Sequence, residues 1–276
     1  HAYSFGVAKG VKEIQMGRYG LSSYNHDVEK LIVSGSGGGF GITQDINGST
    51  ASNIKIILEH ETTGANNLFL VTRVNKKDIV NSLPSDLTVI TADGTSKANY
   101  DGALIYAGDL EGKVTKVNLT ENFSLNNENM IDKNISTTIL FDTQADTNNG
   151  RYIYKGLEAT INDDNNLWLY FGTGNTQKLG NRSNQIKNRV YGIKDKDFPN
   201  FSKINSPGTV RKCSRAPSCP GGYYDLGWFV DLKESRKVTA EPTIAKDRVY
   251  FPLYEPAPAN AVCTKGSAWL DAYDRK

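Results

Sequence analysis

Long apolar runs are missing from this chain. None of its stretches approaches the roughly 20 residues that a bilayer-spanning helix needs, so no transmembrane segment is expected. An excess of charge of one sign is missing too. Lysine and arginine total 32 against 30 aspartates and glutamates. That balance gives no electrostatic basis for binding nucleic acid or an anionic membrane. Histidine is limited to His1, His26 and His60, and none has the neighbours that a Ser-His-Asp or Cys-His arrangement requires. No amphipathic run of helical period stands out. The opening His1-Ala-Tyr-Ser-Phe5 lacks the charged and apolar regions of a signal peptide. It fits a mature product or a fragment of a longer exported protein.

Cysteine is equally scarce. Cys213 and Cys219 bracket the loop Cys213-Ser-Arg-Ala-Pro-Ser-Cys219, in which a small disulfide ring closes easily, and Cys263 is left over. An odd count in a loop-rich chain predicts an oxidising compartment and a mate for Cys263 outside the segment. Three free thiols in a cytosolic protein are the alternative. Zinc is disfavoured, because the histidines lie far from the cysteines in sequence.

What is present is strand chemistry. Asn, Thr, Ser, Gly and Tyr are abundant, which suits strands and polar turns. The organising stretch runs from Leu104 to Leu119. Leu104 to Ala107 is apolar and β-prone, Gly108-Asp109 breaks it, and Leu110-Glu111-Gly112 turns the chain. Val114, Val117 and Leu119 then begin a second strand. Weaker copies start at Leu31, at Leu167 (continued by Arg189 to Ile193) and at Arg248 (continued by Ala268 to Tyr273). A hairpin that returns every several dozen residues is a repeat architecture, and one repeat alone cannot bury its faces. The expected fold is all-β: a β-propeller of radially arranged four-stranded sheets, with residues 1–276 as one domain. It is either a small propeller or part of a larger one. A β-sandwich is the alternative, but it leaves the recurrence unexplained.

Along the chain, Tyr3 to Val7 and Glu13 to Met16 read as strands and Ser22 to Lys30 as a polar connector. The glycine-rich Ser34 to Phe40 is followed by neither Gly-Lys-Ser/Thr nor a helix, and its spacing fails the dinucleotide fingerprint. It reads as a strand turn. Asn53 to Glu59 and Asn67 to Val74 are strands, and Asp78 to Ser82 is a helical turn. Thr137 to Phe141 closes the central blade. Tyr152 to Ile161 and Leu167 to Thr173 flank the turn Asn162-Asp-Asp-Asn-Asn166. Residues 199–224 form the longest irregular segment. Gly227 to Leu232, Lys237 to Thr239, Asp247 to Leu253 and Ser267 to Tyr273 make the last blade.

These segments carry a family resemblance. Tyr106-Ala-Gly-Asp-Leu-Glu-Gly112, Trp168-Leu-Tyr-Phe-Gly-Thr-Gly174 and Asn188-Arg-Val-Tyr-Gly-Ile-Lys-Asp195 are followed by Gly227-Trp-Phe-Val-Asp-Leu232, Thr239-Ala-Glu-Pro-Thr243 and Arg248-Val-Tyr-Phe251. In that order they resemble the C-terminal propeller of the PilC/PilY proteins, tip-associated adhesins of bacterial type IV pili. The resemblance runs from about residue 87 to the end; before that it rests on Ser34 to Phe40. It implies quinoprotein-like propeller repeats in an exported protein of the pilus tip and outer membrane. The implied role is non-enzymatic: supporting pilus assembly, opposing retraction and attaching host cells. Minor pilins or other tip proteins and a host-cell surface ligand are the implied partners.

Two other functions follow from the same architecture. A periplasmic quinoprotein-like dehydrogenase would need an axial cofactor pocket and a metal-bound carboxylate base. Asp109, Asp231 and Asp271 sit at strand ends, where turn and packing roles are commoner. A carbohydrate-binding propeller lectin is the other.

Calcium follows from the resemblance as well. Many family members carry an oxygen-rich loop before the Tyr-Ala-Gly-Asp strand, spaced to wrap a hard cation. Here that place holds Asp93-Gly-Thr-Ser-Lys-Ala-Asn-Tyr-Asp-Gly102, with Asp93, Asn99 and Asp101 as the oxygen donors and Lys97 interrupting the alternation. Two readings stand: a weakened Ca2+ site, and an ordinary polar turn around Asp101-Gly102. Asp163-Asp164 and Asp195-Lys-Asp197 read as solvated turns.

Overall fold

The computed structural model of the chain describes residues 7–15, 20–21, 26–37, 53–60, 68–75, 84–91, 103–118, 136–146, 148–164, 166–198, 211–212, 226–233, 235–258 and 264–275. Among these residues the chain is all-β, with eighteen strands and one short 3-10 turn. It folds as two compact units. One comprises His1–Ala107, Thr115–Thr138 and Asn200–Ile204; the other comprises Gly108–Val114, Ile139–Pro199 and Asn205–Lys276.

In the first unit, β1 (Val7–Gln15), β2 (Gly20–Leu21), β3 (His26–Gly37), β4 (Asn53–His60) and β5 (Leu68–Asn75) form an antiparallel sheet. The strand order is β1-β3-β4-β5, with β2 paired to the start of β3. Strand β1 is continuous where two strands were expected. A register shift between Lys9 and Val11 takes up the irregularity, as a bulge at a glycine allows. The expected connector from Ser22 to Lys30 becomes strand from His26 onward. Partners on both sides satisfy its backbone groups, so polar composition does not prevent extension. Gly35 to Gly37 likewise belong to β3 and not to a turn. The helical turn expected at Asp78 to Ser82 lies outside the described residues.

Strands β6 (Thr88–Thr91), β7 (Ala103–Gly108), β8 (Lys113–Asn118) and β9 (Ser136–Asp142) form a four-stranded sheet in chain order. The hairpin read from the sequence is there, its turn made by residues 109–112. Asp109 builds that turn. Its carboxylate Oδ1 accepts the Lys113 N–H at 2.9 Å, and its carbonyl accepts the N–H groups of Gly112 and Ile153, both at 3.1 Å. Gly112 has φ +74, and a Cβ there would meet Thr143 Oγ1 at 1.9 Å.

The second unit holds two sheets. Strands β10 (Glu158–Ile161), β11 (Leu167–Gly172), β12 (Arg189–Asp195), β13 (Arg211–Lys212) and β14 (Gly227–Asp231) are ordered β10-β11-β12-β14-β13. All pairs are antiparallel except β13 with β14. Strand β14, expected in the last blade, is thus the partner of β12, with Tyr191 opposite Phe229 and Gly192 opposite Trp228. The other sheet has β15 (Lys237–Val238), β16 (Thr243–Ala245), β17 (Arg248–Glu255) and β18 (Ser267–Asp274). Strands β15 and β16 pair with opposite ends of the same side of β17, and Thr239 N–H still donates to the Pro252 carbonyl at 3.0 Å between them. They are one edge strand interrupted near Pro242, which has no N–H to give. Every sheet path is open among the described residues.

Of the strand expected at Tyr152 to Ile161, only the last four residues pair. Backbone partners elsewhere hold the rest: Ile153 N–H donates to Asp109, and the Tyr152 carbonyl accepts Gly174 N–H at 2.9 Å. Ile153 itself is buried against Gly108, where a Cβ would meet it at 2.4 Å.

Strand β11 is buried along its whole length on both faces, hence the unbroken apolar run of Leu-Trp-Leu-Tyr-Phe-Gly. One face carries Trp168 and Tyr170 into a cluster with Trp228, Val249, Phe251 and Tyr273. The other face forms an aromatic row, Phe171 stacked on Tyr191 at 4.9 Å and Phe229 beyond at 6.0 Å. Arg189 caps that row, its guanidinium 4.0 Å from the Phe229 ring centroid and bonded to Asp231 at 2.6 Å.

Candidate functional site

The sheet of β10 to β14 carries a long connection, residues 173–188, between β11 and β12. A connection of this length floats unless something fixes its backbone, and here buried polar side chains do so. Asn188 donates through Nδ2 to the Arg236 carbonyl at 2.7 Å and accepts the Thr173 hydroxyl at 3.2 Å. Ser183 N–H donates to Ser235 Oγ at 3.0 Å. Lys237, 1% exposed, directs its ammonium at three carbonyls: Asn181 at 2.8 Å, and Leu179 and Ser235 at 3.1 Å each. Burial pushes the Lys237 pKa down, and the nearby Arg182 charge adds to that. With all three donors committed, the ammonium acts as a clasp and offers no free nucleophile or acid.

A second turn completes the frame. Asp146 accepts the N–H groups of Asn148 and Asn149, both at 2.7 Å, and Asn149 returns a bond to the Asp146 N–H at 3.1 Å. Those bonds hold the Asp146 carboxyl below its ordinary range. Arg151 Nε donates to the Lys187 carbonyl at 2.9 Å, and Lys187 N–H donates to the Asn149 carbonyl at 2.8 Å. Turn and connection are therefore tied at both ends.

Between them lies a cleft of about 300 Å³, at the lower end of the roughly 300–1,000 Å³ range of small-ligand sites. Its wall is mostly amide and hydroxyl, from Asn148, Tyr152, Asn175, Asn181, Ser183 and Gln185 among others. Asn175 is half committed, because its Oδ1 accepts the N–H groups of Gln177 and Lys178 at 3.0 and 3.1 Å. Among the described residues no carboxylate, histidine or cysteine lines the cleft. These side chains can bind by hydrogen bonding, as donors and as acceptors.

Asp93, Asn99 and Asp101, the expected calcium donors, lie outside the described residues, as do Cys213, Cys219 and Cys263. Among the described residues no group of three or more His, Cys, Asp or Glu side chains is spaced to hold a metal. The three strand-end aspartates are all described. Asp109 builds the hairpin turn, Asp231 pairs with Arg189, and Asp271 accepts the Tyr273 hydroxyl at 3.4 Å. Burial pushes the Asp109 carboxyl up to about 7, and its Oδ2 is buried with no hydrogen-bond partner. Asp195 and Asn162 are turn formers too: Asp195 Oδ1 accepts the Asp197 N–H at 3.2 Å, and Asn162 Oδ1 accepts those of Asp164 and Asn166 at 3.2 and 2.8 Å.

Sequence reasoning missed the cleft. Its signal was the density of Asn, Gln and Ser between Asn175 and Asn188 beside a lone Lys237, which composition alone assigns to a solvated loop. Compared with known proteins, the chain matches no family model, no curated protein and no solved structure.

Proposed function

We propose that the chain is a non-enzymatic adhesion and assembly module of the PilC/PilY kind, a propeller domain of a type IV pilus tip protein. On this reading it is exported to the bacterial surface, pilus tip and outer membrane. There it contacts minor pilins and a host-cell ligand, favouring pilus extension over retraction. The observation that supports it best is how the resembling segments pair. The Tyr106 to Gly112 segment turns β7 into β8, Trp168 to Gly174 lies on β11 beside Asn188 to Asp195 on β12, and Arg248 to Phe251 lies on β17 beside β18. Successive sheets of short strands in near-sequential order are what propeller blades are made of. The amide-lined cleft supports a binding role, since its described wall is made mostly of hydrogen-bonding groups.

The reading is tested with immobilised minor pilins and the purified chain. Saturable binding, with no visible chromophore in the protein, is the expected result. A bound quinone, or dehydrogenase activity without pilin binding, would replace it with the quinoprotein alternative.

Calcium enters as a weak ligand. The side chains of Asp93, Asn99 and Asp101 fall short of the six to eight oxygens that calcium takes even with both carboxylates bidentate, so backbone and water would have to supply the rest. A melting temperature that rises with millimolar calcium in the parent chain and not in Asp101→Ala is the expected outcome. A flat response in both removes calcium from the proposal.

A further inference from the structure

We propose that the cleft between the Asp146–Gly150 turn and the β11–β12 connection binds a neutral carbohydrate. The inference rests on the reading of the chain as a binding module and names the ligand class for one of its sites. It comes from which polar groups of the cleft are already committed. The side chains of Asn148, Asn181 and Gln185 make no hydrogen bond to any described residue, and all three are exposed. The Tyr152 hydroxyl is likewise without a described partner. Each amide offers a carbonyl acceptor and two N–H donors. Adjacent sugar hydroxyls, which both donate and accept, match that arrangement.

Other ligand classes fit less well. A cation would find no carboxylate among the described residues of the wall. A polyanion would find, among the described residues, one available ammonium, that of the exposed Lys178, since Lys237 is committed to its three carbonyls. Among the described residues an apolar ligand would find little beyond Ile186 and the Tyr152 ring. That ring suits the C–H face of a pyranose, as an amphipathic aromatic with a flat apolar surface. The volume of about 300 Å³ is of the size that takes a small ligand. The backbone frame is also fixed in advance by Lys237, Asn188 and Ser235, so binding has only the side chains left to order.

The test uses the full chain and methyl glycosides of the common neutral pyranoses, followed by saturation-transfer NMR and then by a glycan array. The variant Asn148→Ala/Gln185→Ala alters two exposed side chains and is expected to keep its melting temperature. Saturable binding of at least one neutral pyranoside, weakened tenfold or more in that variant and within twofold in Lys178→Ala, is the predicted result. The proposal is overturned by an array without neutral hits, or by binding that ignores the double variant. It is also overturned by binding confined to sulfated or sialylated glycans that Lys178→Ala abolishes. Pilin binding measured on the same variant separates the two readings. Retained pilin binding beside lost sugar binding supports the site, and absent sugar binding with intact pilin binding sinks this inference alone. Loss of pilin binding in the double variant would assign the cleft to protein and overturn the carbohydrate.

Discussion

Two residues show how tightly single positions are specified. Gly192 stands between Tyr170 and Trp228 on neighbouring strands, and the indole lies over it. A Cβ there would approach Trp228 Cε2 to 2.6 Å, inside any real contact. Gly192→Ala is therefore expected to lower stability by about 1–3 kcal/mol, the usual cost of overpacking. Trp228→Leu in the Gly192→Ala background should cost less than the sum of the two single changes, because one relieves the other. Urea titration of the four proteins checks this, and strict additivity would show that the ring does not set the glycine. Asp109 makes a different prediction. Its folded pKa of about 7 lies above the ordinary carboxyl value of about 3.9, so the folded state holds the proton more tightly than the unfolded chain. The stability this gives is full below about pH 4, falls as pH rises towards 7 and is level above that. The span is on the order of 4 kcal/mol. Asp109→Asn keeps an acceptor for the Lys113 N–H and removes the titration, so its stability should vary less between pH 4.5 and 8 than that of the parent. Parallel slopes in the two proteins would refute the assignment.

Among elements, those defined by local chemistry were the legible ones. The turn at residues 109–112, the pairs β11–β12 and β17–β18 and the Asn162 turn follow from apolar runs ended by glycine, aspartate and asparagine. Elements defined by distant partners were not legible. Residues 26–30 are extended despite their polar composition because β4 and β2 flank them, Tyr152 to Leu157 is β-prone yet outside the sheet ladders, with Asp109 and Gly174 bonding the backbone of Ile153 and Tyr152, and the strand that carries Trp228 pairs with β12 and not with β17. The β11–β12 connection is the extreme case: its order depends on Lys237, a residue some 50 positions away that composition marks as surface. Lys237→Met keeps the length of the side chain and leaves the carbonyls of Leu179, Asn181 and Ser235 short of their donor. A loss of about 1–3 kcal/mol is expected, the desolvation cost of stranded acceptors. Amide exchange should quicken at Lys178 to Ser183 well before it does in β11. Equal quickening in both would mean that the lysine supports the sheet and not the connection.

At the scale of the whole chain, the second unit is built from three separate pieces of sequence. The smallest, Gly108–Val114, contributes the turn of the β7–β8 hairpin. That turn is not an appendage. The Asp109 carbonyl accepts Ile153 N–H, the Gly112 carbonyl accepts Thr143 N–H at 2.9 Å, and the close approach at Gly108 seats Ile153. A fragment of residues 139–276 lacks these groups, leaving the N–H groups of Thr143 and Ile153 without partners and the Ile153 side chain uncovered. Stranded amides cost about 1–3 kcal/mol each when buried, against a total stability of about 5–15 kcal/mol for a domain. The fragment is thus expected to melt with low cooperativity and to bind hydrophobic dye. Residues 84–276 restore the hairpin together with its sheet partners, and a single sharp transition is expected. Calorimetry of both fragments decides the matter. If 139–276 melts as sharply as 84–276, the turn is dispensable and the boundaries of the second unit lie elsewhere. If only the longer fragment is cooperative, the turn of Gly108–Val114 is what completes the second unit.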